Sequence, residues 1–361
     1  MKRTHCLLGV PLLLAALLLA AVPLLASEQR QQSATLVASH DIAIATTDKG
    51  KVQGFVRDGI LTFRGLPYAR AERFEAPAPV PAWQDTRKTL SYGNICPQPV
   101  NPTLNEPQTF IADSRFWPAS EDCLNLNVWT PALDHKRRPV MVWLHGGGYF
   151  SGSSMELPIY DGTRLSHKGE VVVVSINHRL NILGFLDLSA YGEPYKASGN
   201  LGMQDIVAAL AWVRANISAF GGDPGNVTLF GQSGGGGKVM TLLAAPSAAD
   251  LFGKAIIQSG VFGPPASRAM DQATARRVAE LVFELAGLKP GDIAGLKALP
   301  YDRLSGVGAQ ALAAASKELT GAAQGMLGFP RVNWGPIVDH AFLPERRSKS
   351  QPQGCPPPSR C

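Results

Sequence analysis

Two glycine-rich runs carry the residues best suited to do chemistry. In Phe230-Gly231-Gln232-Ser233-Gly234-Gly235 a serine stands with glycines two residues before and two after it. A hydroxyl projected from a sharp strand-to-helix turn needs that spacing, because a side chain at either position would crowd the bend. The helix expected over residues 235–245 also points its amino end at Ser233, which favours negative charge there. Such a serine can attack a carbonyl carbon. The run could instead be a plain turn with a surface serine, but the order strand, turn, helix makes the pattern specific. Read as a phosphate loop through Gly237-Lys238, its spacing fails. Gln232 stands where glycine is needed, and Val239 replaces the Ser or Thr that would hold magnesium.

The second run, His145-Gly146-Gly147-Gly148-Tyr149, directly follows the apolar segment 140–144. Acyl transfer builds negative charge on the carbonyl oxygen, and backbone N–H groups without side chains can approach it. Gly147 and Gly148 would supply two such donors, and Gly234, next after the serine, a third. Losing one typically costs about 3 to 4 kcal/mol of barrier. A lone HGGG would be an ordinary flexible loop; two half-sites in this order at strand ends point to one oxyanion hole.

These turns need rigid elements beneath them. Segments 140–144 and 171–176 are almost wholly apolar, as strands covered on both faces must be, whereas 124–129 alternates Leu and Asn and reads as half-exposed. Ile206, Leu210, Val213, Ile217 and Phe220 form one apolar helix stripe, which Gly221 and Gly222 end. Segments 227–230 and 254–258 are further strands. Apolar strands alternating with helices imply an α/β fold with a mostly parallel sheet flanked by helices. Upstream, short runs at 42–44, 52–56 and 60–63, broken by Asp48-Lys49-Gly50 and Asp58-Gly59, predict a small antiparallel meander. Residues 65–120 lack periodicity and should drape over the core. Residues 268–328 read as an Ala-rich helical insertion packed through Leu281, Phe283, Leu285 and Leu288.

A chain of 361 residues with 45% hydrophobic content can bury a substantial core. The net charge of +6 does not mark a polyanion partner. Lys2, Arg3, Arg346, Arg347, Lys349 and Arg360 lie outside the body, which is formally neutral without them, so no nucleic acid is implied. Lys2 and Arg3, the apolar block 7–21 and small Ala26 and Ser27 read as an export signal over residues 1–26. Gly9, Pro11 and Pro23 interrupt the block and argue against a stable membrane anchor. The expected location is secreted or periplasmic, where disulfides are permitted. Cys96 and Cys123 could then close a loop of about 27 residues, worth roughly 3 to 4 kcal/mol, or stay as buried free thiols. No Cys or His pair has zinc-site spacing, so no metal is expected. The domain is expected over 27–344. After Pro344 a charged and Pro-rich tail, 345–361, cannot bury apolar surface and should be disordered, with the look of a frameshifted terminus.

On these stretches the chain resembles the type-B carboxylesterase family, which includes cholinesterases and para-nitrobenzyl esterases. The likeness covers roughly residues 45–344. It rests on Phe63-Arg64-Gly65-Leu66-Pro67-Tyr68-Ala69, on Glu121-Asp122-Cys123-Leu124-Asn125-Leu126-Asn127-Val128, and on Gly199-Asn200-Leu201-Gly202-Met203-Gln204-Asp205. Phe220-Gly221-Gly222-Asp223-Pro224 and the two glycine runs complete it. The resemblance implies an α/β-hydrolase fold, no cofactor, and a serine esterase acting on a small-molecule ester through an acyl-enzyme, with no particular oligomer. Carried over by position, the nucleophile falls on Ser233, the oxyanion donors on Gly147, Gly148 and Gly234, and an early disulfide on Cys96 and Cys123. Asp122, Asn177 and Arg179 fall in structural stretches.

Two departures stand out. Gln232 occupies a position often held by Glu, which should weaken any preference for cationic esters such as choline esters. The family's acid and His come well after the nucleophile, yet the sole histidine downstream of Ser233 is His340, in a segment that carries no catalysis in the family. Glu318 and Asp339 precede it, so the order serine, acid, histidine is only formally available. The chain is therefore expected to lack its general base and the last strands of the sheet. Residues 254–258 would be left as an exposed edge, with poor folding or little turnover. The alternatives are a non-enzymatic cholinesterase-like binder, which would be expected to have lost the serine, and a nonfunctional gene fragment.

Overall fold

The computed structural model describes residues 36–99, 117–260, 269–321 and 332–344. The expected export signal and the tail 345–361 lie outside those residues. In chain order the strands are β1 (Leu36–Val37), β2 (Ile44–Thr47), β3 (Gly50–Gln53), β4 (Phe55–Arg57), β5 (Ile60–Pro67), β6 (Arg87–Lys88), β7 (Asn125–Thr130), β8 (Arg138–Leu144), β9 (Val172–Ile176), β10 (Gly222–Gln232), β11 (Lys254–Gln258), β12 (Met270–Asp271) and β13 (Ile337–Val338). The α-helices are α1 (Thr163–Gly169), α2 (Asn181–Phe185), α3 (Leu201–Asn216), α4 (Gly234–Ala244), α5 (Gln272–Ala286), α6 (Ile293–Ala298) and α7 (Tyr301–Thr320).

Eight strands form the main sheet in the order β1-β4-β5-β7-β9-β8-β10-β11. The sheet is mixed, which corrects the expectation of a mostly parallel one. β8 pairs in parallel with β9 and β10, and β10 with β11. From β1 to the β7–β9 pair every pairing is antiparallel. Connection length accounts for the parallel half and for the β4–β5 hairpin. Parallel neighbours need a crossover, and helices α1, α3 and α4 supply one after β8, β9 and β10; the tight turn Asp58-Gly59 between β4 and β5 can only reverse the chain. The expected meander also divides. β2 and β3 pair antiparallel and take up β6 in a separate small sheet, while β4 and β5 join the main one.

A second correction concerns β7. Every residue of it is buried, although Leu and Asn alternate along it. The asparagines turn inward because the interior satisfies them. Asn127 donates to the hydroxyls of Ser154 and Ser175, both at 3.1 Å, and accepts the Gly65 N–H at 3.0 Å. Asn125 donates to the carbonyls of Asn94 and Cys123 and accepts from Asn177. A buried amide so bonded costs little, whereas an unbonded one would cost several kcal/mol.

The stripe on α3 and its 3-10 extension behaves as its spacing requires. Ile206, Leu210, Val213, Ile217 and Phe220 are all at 0% exposure, and such burial stabilises by about 1.5 to 3 kcal/mol per large apolar side chain. On α5, Leu281 and Phe283 are buried but Leu285 is 43% exposed, since 200° of helical rotation past Phe283 carries it to the outer face. α7 lies against α2, where a Cβ on Gly308 would stand 3.0 Å from Ile182 Cδ1. β11 closes one end of the described sheet with mostly exposed residues.

Candidate active site

β10 ends at Gln232 and α4 begins at Gly234, so Ser233 is the single residue between strand and helix and stands at the N-cap of α4. Its φ of 55° and ψ of −122° are closed to most side-chain-bearing residues, at a cost of about 1 to 3 kcal/mol. The surroundings hold it there. Its N–H donates to the Gln258 carbonyl at 2.8 Å, and its carbonyl accepts the Gly237 N–H at 3.1 Å. The flanking positions admit no side chain: a Cβ on Gly231 would lie 2.5 Å from the Gly235 carbonyl carbon, and one on Gly235 only 2.0 Å from the Leu144 oxygen. Ser233 itself is half-buried.

The second glycine run meets this turn. A Cβ on Gly234 would stand 2.4 Å from the Gly148 nitrogen, and one on Gly146 would stand 3.8 Å from Ser233 Cβ. Gly147 and Gly148 have φ of 77° and 63°. Their N–H groups donate to no described residue, while the Gly147 carbonyl accepts from Ser151 and Phe150. Unpaired amides beside a strained serine can take a developing oxyanion.

Beneath the turn lies a buried cluster that sequence reasoning missed. Lys238 of α4 is at 0% exposure, and its Nζ donates to the carbonyls of His145 at 2.8 Å and Gly146 at 3.5 Å. His145 Nδ1 lies 2.9 Å from the Gly146 oxygen and His178 Nδ1 2.9 Å from the Arg179 oxygen. Carbonyls only accept, so both rings carry their hydrogen on Nδ1. The rings stack 4.9 Å apart. Burial, reinforced by the Lys238 charge, holds both imidazoles well below the usual histidine range, so they are neutral. Burial also brings Lys238 down to about 7, opposed by the Glu156 carboxylate. Glu156 is itself raised by burial, and the Tyr160 hydroxyl is pushed up by burial and by the Glu156 charge. The only trace of this in the sequence was Gly237-Lys238, set aside as a failed phosphate loop.

The other candidates sit apart. His340 is exposed in a turn, its N–H bonded to the Leu343 carbonyl. Asp339 builds that turn, accepting three backbone N–H groups with Oδ1 and the Asn200 amide with Oδ2. Glu318 pairs with Arg277 at the surface. Asn177 accepts the Ser154 N–H, Arg179 pairs with buried Asp205, and Asp122 is exposed. Gln232 is exposed beside Ser233. Cys96 and Cys123 are bonded, with Cα atoms 5.0 Å apart. Among the described residues no group of three or more His, Cys, Asp or Glu could hold a metal, and no helix is long and apolar enough to cross a membrane.

Comparison with known proteins adds to this geometry. The model of the carboxylesterase family matches residues 41–354. The chain is 41% identical over 315 residues to the para-nitrobenzyl esterase of Bacillus subtilis (strain 168), a match covering 86% of this chain and 60% of that protein. It is 41% identical over 236 residues to the cholinesterase of Mus musculus, covering 62% of this chain and 38% of that protein. A solved esterase from Clostridium hathewayi, described as able to hydrolyze aliphatic aromatic polyesters, superposes with a TM-score of 0.73 at 40% identity, over 84% of this chain and 58% of that one. The chain spans about half the length of the curated relatives it matches.

Proposed function

This chain belongs to the carboxylesterase family, and on that premise we propose that it carries the nucleophile and oxyanion hole of a carboxylic ester hydrolase acting through a serine acyl-enzyme. The observation behind this is the approach of the Gly148 amide to Gly234 beside the strained Ser233. Ser233 Oγ attacks the ester carbonyl carbon as the carbonyl electron pair moves onto oxygen, where the N–H groups of Gly147, Gly148 and Gly234 receive it. Collapse expels the alkoxide, which takes up the proton lost from Oγ. Water then repeats the attack on the acyl-serine, releasing the acid and restoring the hydroxyl.

Among the described residues no histidine or carboxylate bonds to the Ser233 hydroxyl. The proton therefore has no positioned acceptor among them, and the polypeptide of residues 1–361 is expected to acylate slowly and to deacylate more slowly still. The substrate class is a neutral small-molecule ester. We place the protein outside the cytoplasm through the signal at 1–26, a location that suits the bonded Cys96 and Cys123.

Mixing the chain with p-nitrophenyl acetate, quenching in acid and weighing the peptide that contains Ser233 tests the reading. One acetyl group is expected on that serine, and none on the peptide from Ser233→Ala. Acetylation at other residues alone, or no acetylation at all, would sink it.

A further inference from the structure

The oxyanion turn is held by a buried cation that acyl transfer itself does not call for. In a trans peptide, the carbonyl of one residue and the N–H of the next share a plane and point in opposite directions. The His145–Gly146 plane is held at its oxygen, which accepts from Lys238 Nζ at 2.8 Å. In the next plane, the Gly146 oxygen takes the His145 Nδ1 hydrogen at 2.9 Å and is touched by the Lys238 ammonium at 3.5 Å. The opposite end of that plane is the Gly147 N–H, which has no partner among the described residues. A positive charge on a carbonyl oxygen draws electron density from the amide and makes its N–H a stronger donor.

We propose that Lys238 is a positioning residue for the oxyanion hole: from the nucleophile's own helix, its ammonium locks the Gly146–Gly147 peptide and polarises the Gly147 amide toward incoming negative charge. This rests on Ser233 being the nucleophile. The arrangement is economical in geometry, because the serine and the clamp lie on α4 and cannot move independently. Whatever shifts the helix shifts both halves of the site together.

The titratable groups facing Lys238 are His145 in the turn, His178 beyond β9, and Glu156 in the segment after the turn, with Tyr160 coupled to Glu156 in turn. Burial keeps both imidazoles neutral and pushes the Tyr160 hydroxyl up, so none of these three changes charge near neutrality. Glu156 opposes the burial penalty at Lys238, which leaves the ammonium at about 7. The charge on the turn is therefore lost as pH rises through that region.

The test uses the full chain labelled with nitrogen-15. The Gly147 amide proton is expected to shift between about pH 6 and about pH 9 with one midpoint near that of Lys238, in the native chain and equally in Ser233→Ala. The shift should vanish in Lys238→Met. Glu156→Gln should lower the midpoint, because it removes the charge that favours the ammonium. Single-turnover acetylation by p-nitrophenyl acetate should slow roughly tenfold in Lys238→Met at unchanged half-saturation, with partial recovery in Lys238→Arg. A Gly147 amide that does not titrate in the native chain, or that titrates alike in Lys238→Met, overturns the proposal. If Lys238→Met does not fold, the native and Glu156→Gln titrations still decide it. Acetylation that persists in Ser233→Ala would instead defeat the nucleophile reading, a result separate from the titration.

Discussion

Arg179 and Lys238 are both buried cations near the centre of the fold, at 3% and 0% exposure, but they are held in different ways. Arg179 lies flat against Asp205 of α3, with Nε at 2.8 Å and Nη2 at 2.7 Å from the two carboxylate oxygens. Its backbone N–H also donates to Asp205, and Nη1 reaches the Glu75 carbonyl at 2.7 Å. The guanidinium fork is matched donor for acceptor, so the site is fixed and its charge permanent. Lys238 has two carbonyl oxygens and no carboxylate within ion-pair reach among the described residues. A compact ammonium so placed keeps a proton that neutral pH can remove. Architecture uses the matched pair; the neighbourhood of the serine holds the adjustable one.

The strongest way to break this contrast is at Asp205. Replacing Asp205 by Asn leaves the Arg179 charge buried without its partner and should cost about 3 to 5 kcal/mol in urea unfolding. A loss below about 1 kcal/mol would mean that the pair is no firmer than the Lys238 cluster.

Stability against pH separates the two cations next. An unfolded lysine titrates near about 10.4, whereas folded Lys238 is lowered to about 7. Between those values the unfolded chain binds the extra proton, so stability rises with pH across the window and is flat below it. From about pH 7.5 to about pH 9 the native chain should gain roughly 2 kcal/mol relative to Lys238→Met. Equal slopes for the two proteins would show that Lys238 keeps its proton. Arg179 contributes no slope in this range because a guanidinium does not titrate there.

A surface cluster gives the smallest effect and the baseline. Arg277 meets Glu280, Glu284 and Glu318, all at 3.0 Å, with every partner substantially exposed. Arg277→Ala should cost less than about 1 kcal/mol, and less again in high salt. A cost approaching that of Asp205→Asn would remove burial as the explanation for the difference.

Much of the fold was legible because its signals are local. The stripe on α3 depends only on spacing within one helix, and the strand, turn and helix around Ser233 follow from glycines a few residues apart. The family resemblance drew on the same short runs. Two expectations failed for one reason. The asparagines of β7 read as solvent-facing, and the early hairpins as one meander. In both cases the deciding partners lie far away in sequence: Ser154 and Ser175 for Asn127, and β6 or β7 for the hairpin strands. Leu285 failed for a local reason, its place on the outer face of α5.

The residues by themselves determined where a hydroxyl could be thrust from a bend and where bare amides could wait for an anion, since both depend on glycine spacing along a few residues. Tertiary structure alone decided that the two runs touch, and that a lysine beneath them is dry enough to lose its proton near neutrality. Contact and desolvation are sums over neighbours from many parts of the chain, which no short stretch of sequence contains.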